Sequence, residues 1–407
     1  MKIVSDVAII GGGPCGSFAA LELSKRGVDV TVFEEHSEIG VPSHCSGHLS
    51  IKSLKNLGLY PLPEKIVENV FNGANFYSPE GTKFFVRFPS PVTCVVNRAF
   101  FDNHIANTAE AAGVNYRLNA RVDSLHIENG LVRGVNVRQG EIEKKLSAKI
   151  VVDAEGIPSR ILMQAGLLPL DRNKLVYAVQ AEVENVKDTE QGILDVFLGK
   201  AYAPGFYAWL VPKRDGTARV GLAAKTGNPK ELLNKLMLKH PIASNQLRTA
   251  RVLRTVFHPI TLGGPIPKTY SNGFLAVGDV ASQVKPTTGG GVIFGMTCAK
   301  VAAEVAYEAL QRNDFSSEFL RLYQERCDKI LGFDADIMRR IRCMLDRISD
   351  EKLDEAIRFC TKLDLAKTLQ NIEEIDFQGQ ALLRTLQRPR MLTTLAYFFF
   401  LYFSPNS

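Results

Sequence analysis

Residues 6–16, DVAIIGGGPCG, decide the fold of this chain. Residues 6–10 predict a buried parallel strand, and residues 14–26 predict a helix that follows a tight turn. The glycines have the spacing G-x-G-x-x-G: the first permits the turn, the second lets backbone approach a pyrophosphate, and the third packs helix on strand. The helix N-terminus offers N–H groups to phosphate. The expected contacts are Gly11, Gly13, Pro14, Cys15 and Gly16.

An acidic residue follows at the spacing that a dinucleotide site requires. Residues 28–33 predict a second strand that ends in Glu34, about 20 residues beyond the glycine turn, where a carboxylate binds a ribose hydroxyl. Glu35 stands next to it and is a second candidate contact. The alternative is a glycine turn with only a structural role, but the second strand and its acid favour a dinucleotide.

Three further segments resemble elements of FAD-dependent hydroxylases. Residues 151–160, VVDAEGIPSR, are similar to a D-[AG]-x-G-x-x-S element, residues 274–279, FLAVGD, to the second FAD fingerprint, and residues 96–102, VNRAFFD, to an arginine-bearing segment. The resemblance implies FAD contacts at Arg98, Ala120, Arg121, Val122, Asp153, Ala154, Gly156, Gly278 and Asp279. FAD is therefore the expected cofactor. No second G-x-G-x-x-G is present that would indicate a separate NAD(P)H domain.

A second glycine loop, residues 286–291, PTTGGG, precedes a strongly helical run at residues 292–310. We expect this loop to deliver a helix N-terminus to the isoalloxazine ring, where N–H groups and the helix dipole stabilise negative charge at the N1/C2 carbonyl edge. The alternative is a flexible loop. The expected contacts are Pro286, Gly289, Gly290, Gly291 and Val292, and Gly290 is also counted as catalytic.

Residues 205–213, GFYAWLVPK, contain the only Trp of the chain and predict a strand. An aromatic strand usually belongs to a core. Alternation also places Tyr207 and Trp209 on one face, where they suit the wall of a pocket over the flavin. Both interpretations stay open on the sequence alone.

Together these residues resemble the archaeal geranylgeranyl reductases, a branch of the para-hydroxybenzoate hydroxylase-like flavoproteins, over most of residues 1–330. The family has a C-[GS]-x element where this chain has Cys45-Ser46-Gly47, and a Y-x-W-x-F-P element at residues 207–212. Val211 replaces the Phe of the second motif, which bears on the shape of the lipid channel. Related halogenases carry W-x-W-x-I-P at a similar place.

The resemblance implies an α/β fold: a Rossmann-type FAD-binding domain, an inserted mixed β-sheet substrate domain and a C-terminal helical segment. We expect the FAD-binding domain at residues 1–50, 93–171 and 266–330, the substrate domain at 51–92 and 172–265, and the helical domain at 331–407. Apolar spacing in the last of these predicts helices at 335–349, 350–363 and 374–386.

The family also implies an enzyme that uses FADH2 to saturate C=C bonds of geranylgeranyl chains in archaeal membrane-lipid precursors. The expected chemistry protonates one alkene carbon, builds cation character on the other and captures it with a hydride from flavin N5. Tyr207 and Trp209 are expected to stabilise the cation with their ring faces, and with Pro212 they are the expected substrate contacts. The rival functions are a flavin monooxygenase or halogenase, and a non-catalytic FAD-binding membrane module.

The proton source is the least determined part of the predicted site. Cys45 belongs to the family motif, so we expect it to be catalytic and, with Ser46 and Gly47, to contact FAD; an inert buried thiol is the alternative. His44 and His48 are expected to be solvated loop residues. Cys298 is a candidate redox partner of Cys45.

Composition excludes several classes of protein. The 407 residues carry a net charge of +6 with 23% charged and 45% hydrophobic residues, which is typical of a folded chain and not of a disordered one. The seven Cys include no CxxC pair, so we expect no metal site and no disulfide scaffold. The positive charge is spread along the chain without a nucleic-acid recognition motif.

The C-terminal segment predicts contact with a membrane surface. Residues 377–407 contain Arg384, Arg388 and Arg390, no acidic residue, and an aromatic end at 396–403; this pattern suits an anionic lipid surface, and a docked core helix is the alternative. The most apolar stretch, 391–403, has thirteen residues, whereas a spanning helix needs about 20. With no signal-peptide pattern, we expect a cytoplasmic enzyme, peripheral at the inner face of the cell membrane, with an external electron donor such as a ferredoxin.

Overall fold

The computed structural model describes residues 5–370, 374–385, 388–394 and 397. The chain divides into two compact units. The first comprises Met1–Ser43, Arg98–Lys174 and Thr261–Asp336, and the second comprises His44–Asn97, Leu175–Ile260 and Ile337–Ser407.

The strands, in chain order, are β1 (Val7–Ile10), β2 (Val30–Phe33), β3 (His48–Ser50), β4 (Val67–Phe71), β5 (Gly73–Tyr77), β6 (Lys83–Arg87), β7 (Thr93–Val96), β8 (Asn115–Arg117), β9 (Arg121–Glu128), β10 (Leu131–Gln139), β11 (Ile142–Ser147), β12 (Ile150–Asp153), β13 (Leu175–Glu184), β14 (Ile193–Leu198), β15 (Tyr207–Pro212), β16 (Ala218–Ala224), β17 (Arg251–Thr261), β18 (Tyr270–Ser271) and β19 (Phe274–Ala276).

The α-helices are α1 (Pro14–Ser24), α2 (Ile51–Asn56), α3 (Arg98–Ala111), α4 (Pro229–Lys239), α5 (Ala243–Leu247), α6 (Val292–Arg312), α7 (Ser317–Cys327), α8 (Phe333–Leu345), α9 (Asp350–Lys362), α10 (Ala366–Leu369) and α11 (Gln378–Thr385). Short 3₁₀ turns at Glu64–Ile66, Arg172–Lys174 and Gly278–Ala281 and a π turn at Asp328–Gly332 complete the described elements.

The first unit is built on a six-stranded sheet in the order β18-β19-β12-β1-β2-β8. β1 pairs in parallel with both β12 and β2, so the carboxyl ends of these strands meet at one edge. Every residue of β1, β2 and β12 is buried, as expected of parallel strands covered on both faces. α1 packs against α3 and α6. A separate antiparallel sheet, β11-β10-β9, belongs to the same unit.

The second unit is built on a seven-stranded sheet in the order β17-β13-β16-β15-β14-β5-β6. Antiparallel pairs join β13 to β16 and β16 to β15, whereas β14 and β5 run parallel. One face buries Val179, Ala208 and Leu222 in a core cluster that includes residues of α4 and α5. A small sheet, β3-β7-β4, lies in the same unit.

The C-terminal helices group with the second unit instead of forming a domain of their own. Ile357, Cys360 and Leu365 share a core cluster with Phe84 and Val86 of β6, and this apolar burial explains the grouping. The predicted helices at 335–349, 350–363 and 374–386 correspond to α8, α9 and α11, and the observed ends of these helices differ from the predicted ones by at most four residues.

The fold class predicted from the sequence is confirmed: a Rossmann-type FAD-binding fold with a second sheet and C-terminal helices. The units change after residues 43, 97, 174 and 260, three to seven residues from the breaks that we expected after residues 50, 92, 171 and 265, and the assignment of a role to each unit stays a prediction. Within the described ranges, no helix is both long enough and apolar enough to span a bilayer. Most of the predicted aromatic end at 396–403 lies outside the described residues.

Candidate functional site

The glycine turn between β1 and α1 has no room for a side chain at two of its three key positions. A Cβ on Gly11 would stand 2.5 Å from the carbonyl oxygen of Ala154, and a Cβ on Gly16 would stand 2.0 Å from that of Gly11. Gly11 also has φ +92°, a conformation that favours glycine. Nothing lies within 4 Å of the Cβ position on Gly13, so the second glycine faces open space.

The N-terminus of α1 is available to an anion. Pro14 is the first residue of the helix and has no N–H. Gly13 is the N-cap residue, and no side chain of a described residue caps this end of the helix. The first intrahelical bond joins the Ser17 N–H to the Gly13 carbonyl at 2.9 Å. The remaining N–H groups of the first turn and the positive end of the helix dipole therefore favour a phosphate at this place.

The predicted acid lies against this turn. Glu34 Oε2 accepts a hydrogen bond from the Gly12 N–H (2.8 Å), and Oε1 accepts one from the His36 N–H (2.9 Å). The Ala120 N–H donates to the Glu34 carbonyl at 2.8 Å. The structure thus brings Glu34 and Ala120 to the glycine turn, at the carboxyl ends of β1 and β2.

Three other predicted cofactor residues use their side chains elsewhere. Glu35 accepts a hydrogen bond from Arg160 at 2.8 Å, and both side chains are exposed. Arg121 donates to Asp123 at 2.7 Å, and Val122 is buried in the core of the first unit. The side chains of Arg121 and Val122 are therefore engaged elsewhere, and their backbone atoms are what remains for a cofactor contact.

Asp153 ends β12 and is fully buried. Its Oδ1 accepts a hydrogen bond from the Glu155 N–H (3.1 Å), and its Oδ2 has no hydrogen-bond partner among the described residues. Burial, with a smaller contribution from Glu155, raises the pKa of the Asp153 carboxyl. Gly156 has φ +79° and nothing within 4 Å of its Cβ position. The segment thus presents a buried carboxyl group with a raised pKa and an open backbone position at the same sheet edge.

Arg98 provides the cation of this site. It makes a two-point ion pair with Asp102, with Nε–Oδ1 at 2.9 Å and Nη2–Oδ2 at 2.8 Å. Burial raises the pKa of both Asp102 and Asp279, and the charge of Arg98 opposes both shifts. Arg98 and Asp279, predicted from two separate motifs, therefore interact electrostatically within the first unit.

The side chain of Cys15, one of the predicted FAD contacts of the glycine turn, lies against two glycines. Its sulfur would stand 2.9 Å from a Cβ on Gly278 and 2.4 Å from a Cβ on Gly295, so both glycines make room for it. Burial, and then the charge of Asp279, raises the pKa of the thiol. Cys15 is thus a neutral spacer between α1, the second fingerprint and α6, and its backbone is what remains for a cofactor contact.

The second glycine loop closes on itself before α6. The Gly289 N–H donates to the Lys285 carbonyl (2.9 Å), and the Lys285 N–H donates to the Gly290 carbonyl (3.3 Å). A Cβ on Gly291 would stand 2.5 Å from Asp279 Oδ1. No side chain of a described residue caps α6. The loop that starts at Pro286 and ends at Val292 thus sets a second uncapped helix N-terminus beside the fingerprint acid.

In the second unit, the aromatic face of β15 is partly open. Tyr207 and Trp209 are partly exposed, whereas Ala208 and Leu210 on the other face are buried. The two rings meet edge to face with their centroids 5.9 Å apart. Burial raises the pKa of the Tyr207 hydroxyl, which stays protonated at neutral pH. Trp209 also packs against the core cluster that contains Phe71 and Val211, so the strand contributes to a core and leaves part of both rings open.

A cross-strand arrangement fixes the indole of Trp209. Gln180, Gly221 and Trp209 stand in register on three adjacent strands. The Trp209 Nε1–H donates to Gln180 Oε1 at 3.1 Å. A Cβ on Gly221 would stand 2.6 Å from the indole Cζ2 and 2.8 Å from the Val179 carbonyl oxygen. The missing side chain on the middle strand therefore lets the indole lie across it.

The Cys45 loop is held on both sides. The Gly47 N–H donates to Cys45 Sγ at 3.4 Å. Gly47 has φ +75°, and its Cβ would stand 2.2 Å from the Val96 carbonyl oxygen. Arg219 Nη1 donates to the Ser46 carbonyl at 2.8 Å and pairs through Nη2 with Glu68 at 2.6 Å. Gln180 Nε2 makes a longer contact of 3.5 Å with the Cys45 carbonyl.

Pro212 does not share the face of the two rings. Alternation along β15 places it with Ala208 and Leu210, and it is buried at the end of the strand. Its carbonyl accepts a hydrogen bond from Asn69 Nδ2 at 2.9 Å. The placement does not support our expectation that Pro212 touches substrate and assigns it to the end of the strand instead. Val211, on the ring face, packs with Phe71.

The histidines before and after Cys45 differ from the expected solvated loop residues. His44 stacks on His258 with ring centroids 5.3 Å apart, and His48 Nε2 contacts Thr93 Oγ1 at 2.7 Å. Cys45 is partly exposed, as is Cys15, and every described cysteine is a free thiol. Cys298 has Cys327 and Cys15 as thiol neighbours in the first unit. Among the described residues, no group of His, Cys, Asp and Glu is arranged to hold a metal ion.

Sequence reasoning missed three residues of the site. Gln180 and Arg219 hold Trp209 and the Cys45 loop, and Gly221 makes room for the indole. The available signal was that polar, charged and glycine residues interrupt strands that are otherwise apolar, which marks a close approach or a functional contact.

Comparison with known proteins decides the family. A family model described as an FAD binding domain matches residues 4–330. Digeranylgeranylglycerophospholipid reductase 2 of Methanopyrus kandleri is 31% identical over 376 residues, which cover 91% of this chain and 94% of that protein. Digeranylgeranylglycerophospholipid reductase of Methanocaldococcus jannaschii is 32% identical over 354 residues, which cover 86% of this chain and 89% of that protein. The chain belongs to this reductase family.

Solved structures agree with the membership. A geranylgeranyl bacteriochlorophyll reductase-like protein from Thermoplasma acidophilum has a TM-score of 0.85 and 26% identity, covering 97% of this chain and 99% of that one. A flavin-dependent brominase has a TM-score of 0.72 at 19% identity, covering 94% and 99%, and shares the fold. The resemblance to the geranylgeranyl reductases is confirmed.

FAD is the cofactor of this reductase-family chain. The first unit fits it by three observations: open space at Gly13 and Gly156, two uncapped helix N-termini, and a carboxylate at the end of β2. Residues of the glycine turn would hold the pyrophosphate, Glu34 the ribose, and the loop before α6 the ring.

Two glycine variants separate folding from FAD binding. Gly16→Ala is expected to destabilise the apoprotein by about 1–3 kcal/mol, because its methyl group collides with the backbone of Gly11. Gly13→Ala is expected to leave unfolding in urea unchanged and to weaken FAD binding at least about tenfold, because its methyl group enters space that a pyrophosphate needs. Wild-type FAD affinity in Gly13→Ala, measured by flavin fluorescence titration, would contradict this placement.

The single tryptophan gives a direct test of the cross-strand arrangement. Gly221→Ala is expected to displace the indole, break its bond to Gln180 and shift the intrinsic emission to longer wavelength. Gly263→Ala is the control, because its Cβ would meet only the Lys174 side chain, at 3.3 Å. An unchanged emission spectrum in Gly221→Ala would show that Trp209 does not depend on the missing side chain.

Proposed function

We propose that this chain is an FAD-dependent reductase that saturates C=C bonds of geranylgeranyl chains in isoprenoid membrane-lipid precursors. Its relatives are named digeranylgeranylglycerophospholipid reductases and match at 31–32% identity over most of the chain. The observation that carries the proposal to this chain's own residues is the partly open pair of rings, Tyr207 and Trp209, in the unit that also holds the Cys45 loop.

The ring pair suits the electronic demand of the reaction. Reduced FAD supplies the hydride. An isolated alkene becomes a hydride acceptor only when one carbon gains cation character, and aromatic faces stabilise a cation by about 0.5–2 kcal/mol per contact. The Trp209 N–H is bonded to Gln180, so the indole keeps one orientation and its face stays directed at the substrate. Trp209 packs against the apolar cluster of Phe71 and Val211, and apolar neighbours of this kind suit a reaction in which water would capture the cation.

Cys45 is the proposed proton donor. Its thiol is free and partly exposed, which suits a group that must reach substrate. Gly47 and Arg219 fix the loop through the sulfur and the Ser46 carbonyl. The neutral Tyr207 hydroxyl in the same unit has its pKa raised by burial and is suited to hydrogen bonding, whereas its proton is harder to release.

Only the shared fold supports the alternative functions, a halogenase or a monooxygenase. The brominase likeness is below 25% identity, and no contact in the described site favours a halide or an oxygenated intermediate over an alkene. A non-catalytic FAD-binding module does not explain a partly exposed thiol beside two oriented rings.

The proposal includes a peripheral position at the cytoplasmic face of the membrane and an external electron donor such as a ferredoxin. The basic residues Arg384 and Arg390 support contact with anionic lipid. Part of the C-terminal segment, residues 377–407, instead favours a helix docked on the protein. Met391 is buried with Ile357, and Tyr397 stacks on Phe359 at a centroid distance of 3.8 Å. We therefore assign the membrane contact to the basic residues and not to Met391 or Tyr397.

The experiment that tests the function uses the FAD-loaded full chain, reduced with dithionite under anaerobic conditions and mixed with geranylgeranyl phospholipid. Mass spectrometry is expected to show gains of two hydrogens per reduced bond. An unchanged lipid with fully reduced flavin would overturn the proposal, and oxygen consumption stimulated by an aromatic compound would favour the monooxygenase.

Trp209→Ala is expected to lower the rate of lipid reduction by about 2- to 30-fold, the equivalent of the cation stabilisation lost, without weakening FAD binding. Tyr177→Ala is the matched control, because Tyr177 is an aromatic residue of the same unit that is 51% exposed. The readout is the rate of flavin reoxidation by lipid in the absence of oxygen. A wild-type rate in Trp209→Ala would remove the indole from the mechanism.

A further inference from the structure

β17 (Arg251–Thr261) is the longest of the described strands and stands at the end of the seven-stranded sheet. One row of its backbone N–H and C=O groups therefore has no neighbouring strand in that sheet. Residues 251–255 are exposed without interruption. Because successive side chains of a strand point to opposite faces, this end of β17 is uncovered on both faces.

Three large apolar side chains lie at this end of β17 or next to it. Val252, Leu253 and Phe257 are 48%, 47% and 54% exposed. Leu253 and Phe257 share one face of the strand, about 13 Å apart, so both side chains can touch the same flat surface. Single exposed apolar residues are common, but a group of them on an open strand edge marks a surface that binds a partner.

The charge around β17 is positive. Residues 232–278 contain no Asp or Glu. Arg251 pairs with Glu184 of β13, whereas the exposed Arg248 and Arg254 have no ion-pair partner among the described residues. Basic residues at a sheet edge discourage pairing with another strand, but this role does not explain the exposed apolar side chains beside them. The combination fits a partner that is both apolar and anionic.

We propose that the exposed end of β17 is a membrane-binding edge, which contacts the headgroup region of an anionic lipid bilayer. Leu253 and Phe257 enter the boundary between headgroups and acyl chains, and Arg248 and Arg254 bind lipid phosphates. The free backbone groups of an edge strand are too costly to bury in hydrocarbon. The contact is therefore interfacial, where water and headgroups satisfy these groups.

The membrane-binding edge deepens the proposed function, because it names the surface through which the enzyme meets its lipid. It adds apolar side chains to the contact that we assigned to basic residues of the C-terminal segment. The sheet order agrees with this role: β17 neighbours β13, which carries the Gln180 side chain that orients Trp209. Binding to vesicles requires neither reduced FAD nor turnover, so it is measured independently of the reaction.

Two other partners match this surface less well than a bilayer does. A second copy of the chain would bring the same arginines to the edge, and residues 232–278 of that copy offer no carboxylate to compensate them. An acidic protein would complement the arginines, but its charge does not account for Leu253 and Phe257. An anionic bilayer complements both kinds of side chain.

The first test removes the apolar side chains of the edge. The double variant Leu253→Thr, Phe257→Thr keeps residues that suit a strand, and Met163→Thr, Leu168→Thr removes two exposed apolar side chains of the first unit as a control. Sedimentation with vesicles of phosphatidylcholine and phosphatidylglycerol is expected to show binding weakened at least about tenfold in the first variant and unchanged in the control. Wild-type binding by the folded first variant would overturn the proposal.

The second test removes the unpaired charges of the edge. Arg248→Gln with Arg254→Gln is expected to weaken binding to the same vesicles by about 10- to 30-fold, with a smaller loss on vesicles of phosphatidylcholine alone. Arg133→Gln with Arg172→Gln removes two exposed charges from the first unit and is expected to match wild type. Equal losses in the two variants would refute a local contact, because they would assign the effect to net charge.

Phe257→Trp covers the case in which the threonine variants do not fold, because it keeps an aromatic ring on the edge. Wild type has Trp209 as its only tryptophan and provides the baseline emission. Added vesicles are expected to shift the extra emission of Phe257→Trp to shorter wavelength, and brominated phospholipid is expected to quench it. Emission that responds to vesicles no more than that of wild type would contradict insertion at this position.

The same variants separate the membrane from the other partners. A lipid-free dimer that dissociates in Leu253→Thr, Phe257→Thr, measured by analytical ultracentrifugation, would overturn the proposal in favour of a second copy. Slower flavin reduction by an acidic ferredoxin in Arg248→Gln, Arg254→Gln, with vesicle binding unchanged, would overturn it in favour of a protein partner. Edge-dependent vesicle binding without reduction of geranylgeranyl lipid would contradict the proposed function and support the membrane-binding edge.

Discussion

The structure depends on the close approach of three backbone segments at the end of β1. Gly11 meets the carbonyl of Ala154, and Gly16 meets the carbonyl of Gly11, at distances where no Cβ fits. These contacts bring β12 and α1 against β1, and the parallel pairing of β1 with β2 and β12 then gathers the strand ends at one edge. Glu34, Asp153 and the open backbone of Gly13 reach the same edge because of this geometry alone.

A single missing side chain also determines how the indole packs in the second unit. Gly221 lies between Gln180 and Trp209 in the sheet, and the indole crosses the space that a side chain would fill. Any larger residue on the middle strand would push the indole off its acceptor. In both units, therefore, a glycine matters because it has no side chain. In the first unit this leaves space for backbone and cofactor, and in the second it leaves space for an aromatic side chain.

The local parts of the site were predictable from the sequence, whereas the long-range parts were not. The strand, turn and helix at residues 6–26 and the acid at Glu34 follow from spacing that a short window displays. The bond between Trp209 and Gln180 joins residues 29 positions apart, and it depends on strand register, which no single segment encodes. The position of the Cys15 thiol between Gly278 and Gly295 likewise depends on the packing of α6. The face of Pro212, in contrast, follows from the same alternation that puts Tyr207 and Trp209 together. The grouping of the C-terminal helices with the second unit depends on the apolar face of α9, whose partner on β6 lies far away in the chain.

The most direct test of the account is the stoichiometry of anaerobic flavin reoxidation. FAD-loaded protein is reduced with two electrons per flavin, freed of excess reductant and mixed with geranylgeranyl phospholipid. The flavin absorbance is followed, and the mass of the lipid is measured by mass spectrometry. The account predicts that one flavin is reoxidised for every C=C bond lost. Flavin that stays reduced in the presence of lipid, and reoxidises only when air is admitted, would contradict it.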